Sequence, residues 1–368
     1  MAQGDERGNA TFRTLDRYLG TAIVAVAGAV RRKRLPPPEI RRIGLLDGSA
    51  IGDTVMLSAV ARDVAARFPQ AETLLFASPP TIPFVRRVPG VTAVPIEIAR
   101  PRQALATIRR QRLDVLLDFG PWPRIEAVYS LLSGARFTAG FRSSGQRRHY
   151  AFDAWVDYSD RCHALENFRR LAGVIGVAAK TPPELAPPGR LADEELPANG
   201  YAVFHLWPTG VCSELKEWPA DRWRALAAAL VERGYGIALT GSPADAQRTR
   251  DFVAGSGDLG RSMVDLAGKY DLDELLDVLC RSRCVVSVNT GVMHLASAVG
   301  ARTVALNGPT AEHRWGPIGE RAVSVNSPYP GCGYLHFGWE YDGQRTDCMA
   351  GISVERVLDA VLELTGDR

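Results

Sequence analysis

Residues 46–54 form a glycine-containing turn between an apolar run and a segment with helical periodicity. Gly48 and Gly52 would let the backbone pass close to a ligand, and a helix that begins here would attract an anion at its first turn. Asp53 could instead act only as the cap of that helix. The spacing differs from the G-x-G-x-x-G dinucleotide fingerprint, which weakens an NAD-binding interpretation.

A second turn, residues 289–294, again joins an apolar run to a helical segment. The backbone N–H groups of Thr290 and Gly291, the Thr290 hydroxyl and His294 one turn later could converge on a diphosphate. A capped helix with a partly buried histidine is the alternative. The next apolar run ends in a similar turn, residues 306–310, so the two together favour a ligand crevice.

Two further strand-end loops contain candidate partners for a nucleotide. Lys216 lies in a loop with Thr209, Gly210 and Ser213 and could pair with a phosphate, although a solvated lysine would look the same. Asp245 follows another apolar run, where a carboxylate could accept hydrogen bonds from ribose hydroxyls. Helix capping by Asp245 explains the local pattern equally well.

Alternating strands and helices after the prolines at 36–38 predict parallel sheets covered by helices. The predicted strands are 43–46, 74–77, 93–96, 115–119, 201–206, 236–240, 284–288 and 303–306. The predicted fold is α/β, with two doubly wound Rossmann-like domains facing each other across a cleft. We predict an N-terminal extension at 1–38, domains at 39–180 and 198–352, a linker at 181–197 and a C-terminal helix at 353–368.

Composition is that of an ordinary globular protein, with 46% hydrophobic and 23% charged residues in 368. The net charge of +3 argues against a nucleic-acid-binding protein. Arginines nevertheless cluster in two acid-free stretches that suit an anionic partner. They are Arg100, Arg102, Arg109, Arg110 and Arg112, and then Arg136, Arg142, Arg147 and Arg148.

Six cysteines without regular spacing are too few for a disulfide framework and indicate a reducing compartment. Cys280 and Cys284 are predicted to be buried thiols. Cys332, His336, Asp347 and Cys348 could supply metal ligands, but no C-x-x-C pair accompanies them, so whether they bind a metal stays open.

The apolar run 19–30, followed by four basic residues at 31–34, is too short to span a bilayer. Its basic residues follow the apolar run, which is the reverse of a signal peptide. The pattern predicts a helix in reversible contact with the inner face of the cytoplasmic membrane, in an otherwise cytoplasmic protein. A poorly packed extension is the alternative.

Together the motifs resemble glycosyltransferase family 9, the heptosyltransferases. Four pieces in the right order carry the resemblance, namely Gly52 with Asp53, residues 216–219, residues 241–245, and residues 290–296 continuing to 308–310. The similarity extends over roughly residues 43–357. It implies the GT-B fold, an ADP-heptose donor, inversion at the anomeric carbon, and no metal or other cofactor.

The resemblance also implies roles for single residues. Asp53 matches the catalytic base, Lys216 neutralises the donor diphosphate, and Asn289 stands where the family usually has aspartate. With the local patterns described above, the predicted donor site consists of Thr209, Ser213, Lys216, Asp245, Asn289, Thr290, Gly291 and His294. The predicted acceptor site consists of Gly52 and of four arginines from the second cluster, Arg136, Arg142, Arg147 and Arg148.

The predicted function is transfer of a sugar, a heptose by resemblance, from a nucleotide-sugar donor to a hydroxyl of a bacterial surface glycan or glycolipid precursor. Such an acceptor would be the anionic partner of the arginines. A sugar-nucleotide epimerase of the same fold is one alternative. A non-catalytic protein that binds nucleotide-sugars is the other.

Overall fold

The computed structural model describes residues 14, 16–30, 32–48, 50–189, 196–197, 200–210, 213–336 and 345–367. The chain divides into two compact units, an N-terminal unit at Asp5–Pro183 and a C-terminal unit at Glu184–Arg368. The division falls inside the predicted linker 181–197, whose residues 190–195 lie outside the described part.

Within the described residues, the N-terminal unit contains one six-stranded sheet whose neighbouring strands are all parallel. Its strands are β1 (Arg42–Leu46), β2 (Glu72–Ala77), β3 (Val91–Pro95), β4 (Val115–Asp118), β5 (Phe137–Arg142) and β6 (Ala154–Asp157). Its helices are α1 (Thr21–Val30), α2 (Ile51–Arg67), α3 (Ile82–Val85), α4 (Pro101–Arg110), α5 (Arg124–Leu132) and α6 (Ala164–Ala172). A π-helical turn at Asp16–Gly20 precedes α1.

The C-terminal unit repeats this plan with a second parallel sheet in its described residues. Its strands are β7 (Tyr201–His205), β8 (Gly236–Thr240), β9 (Met263–Asp265), β10 (Cys284–Val288), β11 (Thr303–Asn307) and β12 (Ala322–Asn326). Its helices are α7 (Ala220–Val231), α8 (Ala246–Ala254), α9 (Leu272–Arg281), α10 (Gly291–Ala298), α11 (Glu312–Trp315) and α12 (Val354–Thr365).

Both sheets have the strand order of doubly wound folds. The order is β3-β2-β1-β4-β5-β6 in one unit and β12-β11-β10-β7-β8-β9 in the other. The order in which strands are added reverses between β1 and β4 in one sheet and between β7 and β10 in the other. Ligands of such sheets bind at the carboxyl ends of the two strands that flank this reversal. The prediction of two doubly wound α/β domains is therefore confirmed.

The central strands are almost wholly buried, which is why they are visible in the sequence as continuous apolar runs. Four strands were not predicted: β5, β6, β9 and β12. They lie at or next to the edges of the sheets, and all four carry polar residues within the strand, such as Asp157 in β6 and Asn326 in β12. A short polar edge strand has too little apolar pattern to be distinguished from a loop.

The N-terminal segment packs on the N-terminal unit, so the interpretation as a poorly packed extension is wrong for the described residues. Val24 is buried in a cluster with Ala127 and Phe152. A Cβ atom on Gly28 would stand 2.5 Å from Cβ of Tyr150, so the absence of a side chain lets the helix approach closely. Among the described residues, no helix has the length and apolar character needed to cross a bilayer.

Cys332 and Cys348 form a disulfide, 16 residues apart. The prediction that the cysteines remain reduced is therefore wrong for this pair, and neither sulfur is available as a metal-binding thiolate. Cys162, Cys280 and Cys284 are free thiols. Burial raises the pKa of Cys280 to about 11 and that of Cys284 to about 12, which is typical of inert structural thiols.

Candidate donor and catalytic sites

The start of α10 has unsatisfied hydrogen-bonding capacity. Thr290 is its N-cap, with extended backbone (φ −149°, ψ 176°), but the side chain caps nothing. Its Oγ1 atom is buried, and the described residues offer it no hydrogen-bond partner. The first turn of α10, beginning at Gly291, contains no acidic residue. The positive end of the helix is therefore not neutralised by its own first turn and is suited to an anion.

The neighbouring strand β11 contributes a second buried polar atom that lacks a hydrogen-bond partner among the described residues. Nδ2 of Asn289 donates to Oδ1 of Asn307 at 2.8 Å and to the carbonyl oxygen of Trp315 at 2.9 Å. Nδ2 of Asn307 is buried and finds no acceptor in the part of the chain that the structure describes. Asn289 and Asn307 follow or end two neighbouring strands, so the amide and the Thr290 hydroxyl belong to one edge of the sheet. Buried polar atoms without partners are rare, and a ligand, an ion or an ordered water can satisfy them.

Gly308, in the turn after β11, is explained by packing and not by close approach to a ligand. A Cβ atom on Gly308 would lie 2.4 Å from Sδ of Met349. The N–H groups of Gly333 and Leu335 donate to the carbonyl oxygens of Gly308 and Pro309 at 3.0 and 2.8 Å. Residues of the loop closed by the Cys332–Cys348 disulfide, together with Met349 just after it, therefore cover this turn, and Gly308 is a packing requirement.

The loop that contains Lys216 is held by buried aromatic packing. Trp218 is buried against Trp223, and its Nε1 donates to the carbonyl oxygen of Ile352 at 3.0 Å. Half-buried Lys216 donates from Nζ to the carbonyl oxygen of Thr209 at 2.9 Å. The loop thus gives the ammonium group a fixed position beyond the end of β7.

The other predicted donor-site residues in these loops, Thr209, Ser213 and Asp245, differ in whether their side chains are free to meet a ligand. Thr209 is exposed and Ser213 half-buried, so both could meet a ligand. Asp245 has the contacts of a helix cap: its Oδ2 accepts from the backbone N–H of Ser242 at 2.9 Å and from the Ser242 hydroxyl at 2.6 Å. The capping interpretation therefore accounts for Asp245 without a ribose.

His205 was not predicted to be a site residue, although it ends the central strand β7. Burial lowers its pKa to about 4, and its Nδ1 lies 3.0 Å from Oγ1 of Thr240. The imidazole is therefore neutral near pH 7. A histidine at the carboxyl end of a predicted central strand was the available signal. His294, one turn into α10, is also buried.

In the N-terminal unit, Asp53 lies in the first turn of α2 but is not its cap. The N-cap is Ala50, which has no capping side chain, so the cap interpretation of Asp53 is wrong. Asp53 is half-buried beside the buried Gly52, beyond the carboxyl end of β1. A carboxylate in the first turn of a helix is stabilised by the helix macrodipole.

A buried ion pair lies beyond the neighbouring strand β4. Nη2 of Arg148 contacts Oδ1 and Oδ2 of Asp118 at 2.8 and 2.9 Å, and both side chains are fully buried. Glu126 lies 3.9 Å from the same nitrogen. Burial raises the pKa of Asp118, and the charge of Arg148 offsets part of that rise. No pattern in the sequence indicated this pairing.

The predicted acceptor arginines are scattered. Arg148 is buried, so its prediction as an acceptor contact is wrong: no guanidinium surface remains. Arg136 precedes β5 and pairs with Asp114 at 3.2 Å. That places Arg136 at the amino edge of the parallel sheet, opposite the edge that bears Asp53. Arg142 pairs with Asp157 at 2.6 Å at the carboxyl end of β5, and Arg147 follows it in the left-handed region (φ 58°).

No group of three or more possible metal ligands occurs among the residues that the structure describes. Three of the four residues that we considered as possible metal ligands are otherwise engaged. Cys332 and Cys348 are bonded to each other, and Asp347 accepts from Nη2 of Arg345 at 3.0 Å. His336 contacts the ring of His313, with 5.4 Å between centroids.

Residues 107–333 match the sequence model of glycosyltransferase family 9 (heptosyltransferase). Lipopolysaccharide heptosyltransferase 2 of Escherichia coli K12 is 26% identical over 307 residues, covering 76% of this chain and 86% of that protein. The matched family region begins within α4, so it includes the α10 turn and Lys216 but not Asp53.

Solved structures agree on the fold. The structure of E. coli ADP-heptose LPS heptosyltransferase II is 22% identical with a TM-score of 0.70, covering 89% of this chain and all but 1% of that one. The dodecameric iron-containing heptosyltransferase TibC of enterotoxigenic E. coli, solved with ADP-D-β-D-heptose, is 15% identical with a TM-score of 0.58. The superposition covers 91% of this chain and 78% of the TibC chain.

Proposed function

Because this chain belongs to glycosyltransferase family 9, the heptosyltransferase family, we propose that it transfers a heptose from an ADP-linked donor to a hydroxyl of a lipopolysaccharide precursor. The observation that supports the donor site is the start of α10, where the Thr290 hydroxyl and Nδ2 of Asn307 have no hydrogen-bond partner among the described residues. The ADP-heptose names of the related structures support the choice of donor.

The leaving diphosphate gains negative charge as the glycosidic bond breaks. In this proposal, the N–H groups at the start of α10 and the Lys216 ammonium group stabilise that charge. Asn289 holds Asn307 in place, and His294, one turn into α10, contacts the diphosphate in this proposal. Thr209 and Ser213 line the approach, whereas Asp245 serves as a helix cap.

Inversion requires a base that takes the proton of the acceptor hydroxyl while its oxygen attacks the anomeric carbon. Asp53 is our candidate, because its carboxylate is half-buried in the first turn of α2. Gly52 leaves room beside it for the acceptor. Of the two predicted acceptor arginines that lie at the carboxyl edge, Arg142, which ends β5, is the one that we assign to anionic groups of the acceptor.

Removal of the donor-site groups should weaken nucleotide binding. We expect Lys216→Ala and His294→Ala each to raise the Kd for ADP about 10-fold or more, since hydrogen bonds to charged groups are worth roughly 1.5–3 kcal/mol. Calorimetric titration with ADP measures this. Arg233→Ala is the matched control, because it removes one exposed cation just after α7. Unchanged affinity in both donor-site variants would mean that the nucleotide binds elsewhere.

We propose that transfer needs no metal, because the N–H groups and the Lys216 ammonium group can offset the negative charge of the diphosphate that a metal ion would otherwise neutralise. We expect activity to be unchanged after dialysis against a chelator, with elemental analysis used to verify removal. The iron in TibC makes this a discriminating experiment. Activity that is lost and then restored by Mg²⁺, Mn²⁺ or Fe²⁺ would contradict the proposal.

The reaction itself is tested by mass spectrometry of products after incubation with ADP-heptose and a lipopolysaccharide precursor. We expect a mass increase of one heptose on the acceptor and ADP release that depends on the acceptor. Conversion of the donor to an isomer without acceptor would instead indicate an epimerase. Donor binding with neither outcome would indicate a non-catalytic binding protein.

We propose that heptose transfer takes place at the inner face of the cytoplasmic membrane, where the lipopolysaccharide precursor is built. The Cys332–Cys348 disulfide removes one ground for this proposal, namely that all cysteines suit a reducing compartment. The other ground is the surface around α1.

A further inference from the structure

An exposed apolar face runs along α1 and the π-helical turn before it. Leu19, Ile23 and Val26 are 59%, 45% and 69% exposed, and their spacing of four and three residues places them on one side of a helix. The opposite side, with Gly20 and Val24, is buried against the N-terminal unit. A Cβ atom on Gly20 would lie 2.8 Å from Cβ of Arg124, so this docking is close.

The helix is also fastened at its carboxyl end. Nη2 of Arg34 pairs with Oδ2 of Asp153 at 2.9 Å, and Asp153 is itself buried. Lys33 donates to the carbonyl oxygen of Tyr150 at 3.3 Å and lies 5.4 Å from the Trp155 ring centroid. Two of the four basic residues therefore hold the segment on the domain. Arg32 remains exposed, and Arg31 lies outside the described residues.

A cationic cavity of about 450 Å³ adjoins this face, entirely within the N-terminal unit. It is lined by Arg17, Tyr18 and Thr21 from the N-terminal segment and by Arg124, Gly145 and Arg147 from the domain. Asp16 pairs with Arg124 at 3.1 Å, which leaves two arginine charges in excess. The cavity therefore suits an anion.

The position of the cavity relates it to the reaction site. Arg124 begins α5 after β4, and Arg147 follows β5, so both lie at the carboxyl edge of the sheet. Asp53 follows β1 at the same edge. A surface that binds here would lie beside the edge of the N-terminal unit to which we assign the acceptor.

We propose that α1 lies in the interface of an anionic phospholipid membrane, with Leu19, Ile23 and Val26 in the apolar zone and a lipid phosphate in the Arg17–Arg124–Arg147 cavity. Between Asp16 and Glu39 the chain has five basic residues and no acid, which complements an anionic surface. Tyr18, 68% exposed, and Trp155 have the amphipathic character of interfacial residues.

A second copy of the chain is the other occupant to consider. A stable protein interface needs about 800 Å² per partner. Three aliphatic side chains and one tyrosine on a short helix fall well below that area. A membrane needs no matching partner surface, and a single amphipathic segment then gives reversible binding. The inference does not depend on the transfer reaction, so its test uses no activity measurement.

The experiment is co-sedimentation of the full chain with vesicles of phosphatidylglycerol and phosphatidylcholine, or of phosphatidylcholine alone. We expect binding to the anionic vesicles at about 0.1 M salt and much less at about 1 M, because the Debye length falls from about 10 to 3 Å. The triple variant Leu19→Gln, Ile23→Gln, Val26→Gln should lose most of this binding. Because these side chains are exposed, its circular dichroism should match that of the wild type.

Arg147 and Arg112 allow a matched comparison. They are the two non-glycine residues with positive φ in the described part of the chain (58° and 50°), so Arg→Asn has the same backbone consequence at both. Arg112 lines a different cationic groove, with Arg109 and Arg136, near the amino ends of β4 and β5. We expect Arg147→Asn to lower the partition constant about fivefold and Arg112→Asn to leave it unchanged.

Three results would overturn the proposal. They are wild-type binding by the triple variant, equal losses for Arg147→Asn and Arg112→Asn, and equal binding to neutral and anionic vesicles. Sedimentation velocity of the wild type and the triple variant measures whether this face mediates self-association. A wild-type dimer that becomes a monomer in the triple variant would assign the face to a second copy instead of a membrane.

Discussion

Asp53→Asn is expected to lower kcat by about 100-fold or more while leaving the Kd for ADP nearly unchanged. General-base catalysis contributes typically 10²–10⁴-fold, and asparagine retains the shape of aspartate without a group that can accept the proton. Steady-state transfer rates with calorimetric ADP binding measure both quantities. Asp53→Ala should behave in the same way.

The control for Asp53 is Glu72→Gln, which removes a half-exposed carboxylate from the first residue of β2, at the other edge of the same sheet. We expect its kcat to equal that of the wild type. If Asp53→Asn also retained the wild-type rate, the base would have to be another group. A parallel loss of ADP affinity would point to a role in binding or folding.

Arg148→Met is expected to lower the free energy of unfolding of the N-terminal unit by about 3–5 kcal/mol. Removing one partner of a buried ion pair leaves the other charge uncompensated, here the fully buried Asp118. Denaturant titration followed by a probe in the N-terminal unit measures the change. Arg136→Met, which breaks the exposed pair with Asp114, should cost only about 0–1 kcal/mol.

A double variant separates the charge effect from lost packing. Asp118→Asn with Arg148→Met should be more stable than the two single changes predict when added, because residues in one ion pair are energetically coupled. Strict additivity would contradict the interpretation of the pair as a coupled unit. A loss as small as that of Arg136→Met would show that the buried pair is unimportant for stability.

The Arg148 network also supports the turn that leads to Asp53. A Cβ atom on Gly48 would lie 2.8 Å from Oε1 of Glu126, and one on Gly120 would lie within bonding distance of Oε2. Glu126 therefore fills the space between the turns that follow β1 and β4. Disturbing Arg148 should thus affect the position of α2 as well as stability.

The sequence by itself was sufficient for the architecture and for the helix start at Thr290. The central strands are buried on both faces, so β1, β4, β7 and β10 appear as apolar runs that need no tertiary information. The α10 turn is equally local, because a helix start and its N-cap residue Thr290 are adjacent in the chain. Motif order then indicated the family, which the match over residues 107–333 confirmed.

Only the tertiary structure decided the roles of the charged and sulfur-containing side chains. Arg136 and Arg148 are similar in sequence context, yet one is exposed at the amino edge of the sheet and the other is buried on Asp118, 30 residues away along the chain. The Asp245 carboxylate accepts the capping hydrogen bond from the Ser242 hydroxyl, and Cys332 forms a disulfide with Cys348 across an irregular loop. Pairing partners are chosen by proximity in space, and the strand order that creates this proximity leaves no periodic trace in the sequence.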